Sequence, residues 1–297
     1  MRELLRDAIL GSAWTRASFL TLCAVMAFAL LVPALSPWAL DDVDWDAIDQ
    51  APSAAHWFGT DGAGRDLLTR TWSGGRVSIA IALLATAVSV LIGVPYGAVA
   101  GLLGGRVDQA MMRVVDALYA LPFVLFVILL VVVFGRNPYL LFIALGAVSW
   151  LDLARIVRGQ TLAVRQEAYI DAARALGAGR ARIVLRHVIP NVSGPALVYA
   201  TLTIPGVILA ESFISFLGLG IQEPDASWGV LISDGARAMQ TSWWQLVFPA
   251  GALALTLLSC NVLGDRLRDA LDRRDTVNPG PRLHRTALLR DDEPTLG

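Results

Sequence analysis

The chain contains no lysine: all 24 of its basic residues are arginine. A nucleotide-binding P-loop needs its lysine to reach the phosphates, so this chain cannot form one. A Schiff-base mechanism is excluded on the same ground. Histidine is scarce too. His56, His187 and His284 lie in three separate polar segments and suggest no metal cluster. The hydrolase signatures Ser-x-x-Lys, Gly-x-Ser-x-Gly and His-Glu-x-x-His are missing. The only two cysteines, Cys23 and Cys260, sit in apolar runs and read as small buried residues, not as a disulfide or metal ligands. No catalytic residue and no cofactor are expected of this chain.

Charge is sparse as well, at 16% of 297 residues, while 56% are hydrophobic and the mean hydropathy is +0.59. About 20 consecutive apolar residues span a bilayer core. Six stretches qualify, at 17–37, 77–101, 117–135, 137–154, 194–217 and 244–264. The fourth is the shortest, bounded by Arg136 and Asp152, and stands only if its helix runs on into the polar segment that follows. The expectation is an all-α polytopic membrane protein with six transmembrane helices. A 1–16 arm precedes the 17–264 membrane domain and a 265–297 tail follows it.

Arginine accumulates on the cytoplasmic side of membrane proteins. With the N-terminus inside, 19 of the 24 arginines fall in cytoplasmic segments and 5 outside. That favours N-in, C-in, with outer loops at 38–76 and 218–243 and a cytoplasmic loop at 155–193. A basic start before an apolar run also fits a cleaved signal peptide. The run from Ala17 to Leu40 is longer than a signal core, and its removal would invert the charge balance. It reads as a retained anchor.

The polar insert between the fourth and fifth runs carries the most information. Glu167-Ala-Tyr-Ile-Asp171-Ala172-Ala173-Arg-Ala-Leu-Gly177 reads as a short helix of small residues. Gly177 ends it at no steric cost. Arg180 to Ile189 reads as a second helix, and Pro190 as the re-entry turn into the fifth span. Small residues permit close packing against a partner surface. From the residues alone, an ordinary arginine-rich loop fits as well.

The spacing resembles the EAA loop of binding-protein-dependent ABC importer permeases. Asp171-Ala172-Ala173 stands where that pattern has Glu-Ala-Ala, Gly177 is its glycine, and Ile189-Pro190 is its Leu-Pro. Asp171 replaces Glu and His187 replaces Ile. Arg186-His187-Val188-Ile189-Pro190 is similar to the dipeptide/oligopeptide/nickel branch of the family. Gly59-Thr60-Asp61 through Ser78 and Phe216-Leu-Gly218-Leu-Gly220 with Pro224 and Ser227-Trp228-Gly229 resemble the same branch, so the likeness runs from about residue 56 to 264. It implies an ATPase-coupling insert formed by Asp171, Ala172, Ala173, Gly177, His187, Ile189 and Pro190. It also implies two cytoplasmic ABC ATPase subunits that bind the ATP, a second homologous permease subunit and an extracytoplasmic solute-binding protein. Peptides are the leading solute, with nickel complexes and other small solutes open. Surrounding lipid is the remaining partner, and nothing points to nucleic acid.

Ionisable groups at membrane depth are costly and tend to face the protein interior or a pathway. Glu211 in the fifth run, Asp116 at the edge of the third and Asn261 in the sixth are substrate-path candidates, with Asp152 near the inner end of the fourth. The bland alternative is an interhelical bond or an ion pair, such as Asp116 with Arg113. The acidic, tryptophan-bearing stretch 41–66 reads as a solvated face, an interfacial anchor or a binding-protein contact. Gly93, Gly97 and Gly101, four apart, allow close helix packing within the chain or across to a second permease. Prolines 95, 122, 205 and 249 lie inside spans and read as kinks. An ion-gradient-driven secondary transporter would share the six spans, but it has no need of the insert.

Overall fold

The computed structural model describes residues 12–135 and 138–277. The arm before Ser12, Arg136 and Asn137, and the tail after Val277 with His284 lie outside the described residues. Helices dominate, and the only β contact among the described residues is an isolated bridge between Thr60 and Asp66. The helices are α1 (Ala13–Leu35), α2 (Leu67–Leu103), α3 (Gly105–Tyr119), α4 (Phe123–Phe134), α5 (Pro138–Val164), α6 (Ala168–Ala175) and α7 (Arg180–Ile183). A π-helical turn (Val184–Val188) then leads into α8 (Ile189–Phe216), followed by α9 (Trp228–Ala238) and α10 (Trp244–Val277). Four helices are long and apolar enough to cross a membrane: Ala13–Leu35, Leu67–Leu103, the continuous Arg180–Phe216 and Trp244–Ala270.

The central helix is α2, which packs most extensively on α5 and next on α8. Its 37 residues rise about 55 Å. Asp66 caps it, its Oδ2 accepting the Thr69 N–H at 2.8 Å. Helix therefore begins within the stretch 67–76 that the sequence reading gave to a loop. Gly74 and Gly75 are contact positions within it. A Cβ on Gly74 would lie 3.1 Å from the Ser227 backbone, and one on Gly75 would lie 2.5 Å from the Trp228 ring.

Glycine also explains how α2 and α5 come so close. A Cβ on Gly93 would lie 2.9 Å from the Trp150 carbonyl oxygen, and one on Gly101 would lie 2.9 Å from that of Arg158. The stripe is therefore an intrachain contact, which settles the alternative left open by its spacing. Arg158 then fastens α3 to α5, its Nη2 donating to Asp108 Oδ2 at 2.6 Å.

The third apolar run is not one helix. The chain breaks at 120–122 between α3 and α4, because Pro122 cannot donate the N–H that would continue α3. Helix α5 runs on to Val164, as the short fourth run required. Pro190 is not a turn either. The π-turn places the Ile189 N–H on the Val184 carbonyl, five residues back, and Pro190 sits in the first turn of α8. Asn191 Nδ2 then donates to the His187 carbonyl at 2.6 Å.

Three apolar clusters fill the described fold, a small one around Val115, Trp150, Leu151 and Ala154 and two larger ones. One joins Val25, Ile79, Leu145, Ile208, Ile214, Trp228 and Leu253 toward the end that carries the 38–66 segment. The other joins Val94, Ala98, Leu153, Val157, Ile170, Ile183, Val188 and Val192 toward the insert.

Candidate functional site

The insert is built into the second of the two larger clusters and does not hang from it. Ile170 on α6 is wholly buried, and Ile183 on α7 nearly so. With Ile170 turned inward, Asp171 and Ala172 are exposed, and Ala173 is half-buried. Asp171 accepts from Arg174 Nη1 at 2.8 Å on the outer face. Helix α6 ends with Gly177 at φ +77°, the Ala178 N–H bonding to the Ala173 carbonyl and the Gly177 N–H to that of Arg174. This is the double closure that a left-handed glycine allows. No atom lies within 4 Å of where a Gly177 Cβ would stand.

At that apex Leu176 is 89% exposed, a bare apolar side chain beside a bare glycine. An apolar residue on so short a helix is expected to face the core, so sequence alone does not single out Leu176. Ile170 takes that place instead. His187 is half-buried, its ring centroid 6.4 Å from that of Tyr169, and Ile189 packs against the inner cluster. Pro190 is exposed. The seven insert residues thus divide into an outward surface and an inward anchor.

The acidic candidates are not gathered in one place. Glu211 on α8 is fully buried and accepts from Ser78 Oγ on α2 at 2.8 Å and Ser215 Oγ at 2.7 Å. Asp116 on α3 is exposed and accepts from Arg155 Nη2 at 2.9 Å, so its partner is Arg155 on α5 and not Arg113. Arg155 also lies 4.5 Å over the Tyr119 ring. Asn261 is exposed on α10. Asp152 on α5 lines a cavity at the α3–α4 break.

Polar contacts gather at the end of the molecule away from the insert. Segment 38–66 folds back on the helix ends, with several of its carboxylates engaged internally. His56 Nδ1 meets Asp66 Oδ1 at 2.9 Å, and Gln245 Nε2 donates to Asp49 Oδ1 at 2.6 Å. Phe58 stacks on Phe248 at 4.0 Å. Arg70, which is buried, faces Asp61 Oδ2 at 3.3 Å. Arg65 donates to both Asp61 and Glu223, the latter at 2.7 Å, and that bond holds the Glu223 carboxyl below the usual carboxylate range. Trp45 and Trp57 remain exposed. Among the described residues no group of three His, Cys, Asp or Glu could hold a metal ion.

Residues 93–276 match the family model described as binding-protein-dependent transport system inner membrane component. The chain is similar to the oligopeptide transport system permease protein OppC of Haemophilus influenzae, 51% identical over 261 residues, 87% of this chain and 84% of the relative. It is 52% identical to OppC of Escherichia coli K12, over 87% of this chain and 86% of that one. It is 46% identical to the dipeptide transport system permease protein DppC of Bacillus subtilis, over 86% and 80%. The matched region covers the whole glycine stripe, the whole insert and nearly all of α10. With its several apolar helices, this is a multi-pass membrane protein and a transport subunit. The chain belongs to the family of binding-protein-dependent transport system inner membrane components, the permeases of ABC importers.

Proposed function

We propose that the chain forms one half of the translocation pathway of a peptide importer and is driven by ATPase subunits that dock on its insert. The observation that carries this is the division of the insert. Ile170 and Ile183 fix it to the helix core, while Ala172, Leu176 and Gly177 present an exposed, uncharged apex. Force applied at that apex reaches α5 and α8 directly, since both share the inner cluster with Ile170. Rocking of packed helices is the usual form of alternating access.

Six crossings account for the helices: α1, α2, the broken α3–α4 pair, α5, α7–α8 and α10. The arginine bias sets the insert and both termini in the cytoplasm and segment 38–66 outside. Exposed Trp45 and Trp57 there suit a solute-binding protein. A second permease would cover apolar side chains such as Leu209 and Phe213 of α8, which this chain leaves bare. Peptides are the proposed solute, as the relatives' names state for those proteins.

Purification of the tagged chain from its native membrane, followed by reconstitution in liposomes, tests this reading. The expected result is a complex with two P-loop ATPases and a second permease. Its peptide uptake should require both ATP and the binding protein. A chain that purifies alone and moves solute without ATP overturns it in favour of a secondary transporter.

A further inference from the structure

The break between α3 and α4 opens a cavity of about 490 Å³ against α5 and α8, within the range that holds small ligands. Tyr119 and Pro122 from the break, Ser149 and Asp152 from α5, and Thr203 and Gly206 from α8 line it. Asp152 is exposed at this opening, and its side chain has no ion pair or hydrogen bond among the described residues. The nearby cations are committed elsewhere: Arg155 to Asp116 at 2.9 Å, and Arg158 to Asp108. Among the described residues no basic side chain lines the cavity.

Its hydroxyls add to the same bias. Ser149 Oγ donates to the Leu145 carbonyl at 2.8 Å, and Thr203 Oγ1 to that of Ala200 at 2.7 Å. Their protons are spent on the backbone, and their oxygens remain as acceptors. The cavity therefore offers a carboxylate and two acceptor oxygens, a set that suits a compact cation with several N–H donors. Glu211 shows the contrast, since its oxygens are already filled by serine hydroxyls. An unpaired carboxylate lining a cavity between apolar helices marks a pathway position.

We infer that Asp152 is the counter-ion for the amino terminus of the transported peptide as it passes this cavity, with Ser149 and Thr203 accepting its other N–H bonds. This rests on the reading of the chain as a peptide permease. The contact needs only moderate strength, because the solute must also leave.

The test uses the complete transporter, with permease, ATPase and binding-protein partners, in proteoliposomes. ATP-dependent uptake of trialanine is compared with uptake of N-acetyl-trialanine. Any preference of the binding protein cancels when each peptide is compared between parent and variant. Asp152→Asn should lower kcat/KM for trialanine about tenfold and leave the acetylated peptide within about twofold, as loss of one charge-assisted bond predicts. Asp152→Glu should restore the preference for the free amine. Equal losses for both peptides, no loss for either, or no rescue by Glu overturns the assignment. Should the parent transporter take up neither peptide with ATP present, the importer reading itself falls, and this inference with it.

Discussion

Ser78 on α2 donates to Glu211 on α8 at 2.8 Å, and neither side chain is reached by solvent. The same serine oxygen lies 3.3 Å from the Trp228 N–H at the start of α9, so one small cluster ties three helices together. Glu211→Ala would strand the hydroxyls of Ser78 and Ser215 and is expected to cost about 1–3 kcal/mol. Glu211→Gln keeps an acceptor oxygen and should cost less. Thermal unfolding of the purified complex measures both. An alanine variant that melts with the parent would return Glu211 to the substrate path.

Gly97 lies against Ala154, where an added Cβ would overlap the Ala154 carbonyl and stand 2.9 Å from Val157 Cβ. Gly97→Val should therefore force α2 and α5 apart and lose at least about 1–3 kcal/mol. Gly251 on α10 has nothing within 4 Å, so Gly251→Ala should be neutral or slightly stabilising. Yield and melting temperature should fall for Gly97→Val and hold or rise slightly for Gly251→Ala.

At the insert apex, stability and coupling are expected to separate. Leu176→Asp changes a side chain that touches little of its own chain, so the variant should fold and insert normally. ATP-driven uptake should fall roughly tenfold or more, as loss of a central contact residue predicts. Gly177→Trp should uncouple similarly, with about 1–2 kcal/mol of added backbone strain from its positive φ. Uptake and ATP hydrolysis, measured together in proteoliposomes, check both variants.

The Arg65–Glu223 bond makes the 217–227 loop sensitive to acid. In the folded chain the Glu223 carboxyl titrates below its ordinary value, while in the unfolded chain it returns to that value. The contact's contribution is therefore complete above the ordinary carboxylate range and is lost as pH falls through the depressed value. Hydrogen exchange in the loop, corrected for intrinsic chemistry, should be steady from about pH 7 to 5 and rise below about pH 4. Glu223→Gln should abolish that dependence.

Much of this was legible because apolar runs and small-residue spacing are local signals. The insert's glycine break, the helix that carries the fourth run onward and the glycine stripe follow from neighbours within a few turns. What the stripe packs against does not, since Trp150 and Arg158 lie about 57 residues further along. Residues 67–76 read as a loop because the uncharged apolar run begins only at 77, after Arg70 and Arg76. Their helix is held by Trp228, Asp61 and Glu223, which only the folded chain brings near. Pro190 read as a turn because a π-turn that absorbs it leaves no mark in composition. Leu176 was passed over because which way a short helix faces depends on what Ile170 meets. The engagement of Glu211 and the freedom of Asp152 likewise depend on distant partners.

The most direct measurement is site-specific photo-crosslinking from position 172, with the chain in its native membrane and the captured protein identified by mass spectrometry. A P-loop ATPase subunit should be captured from position 172 and not from a control on the buried side of α6. Capture of no ATPase from the exposed side, in membranes that still take up peptide at the expense of ATP, would contradict it.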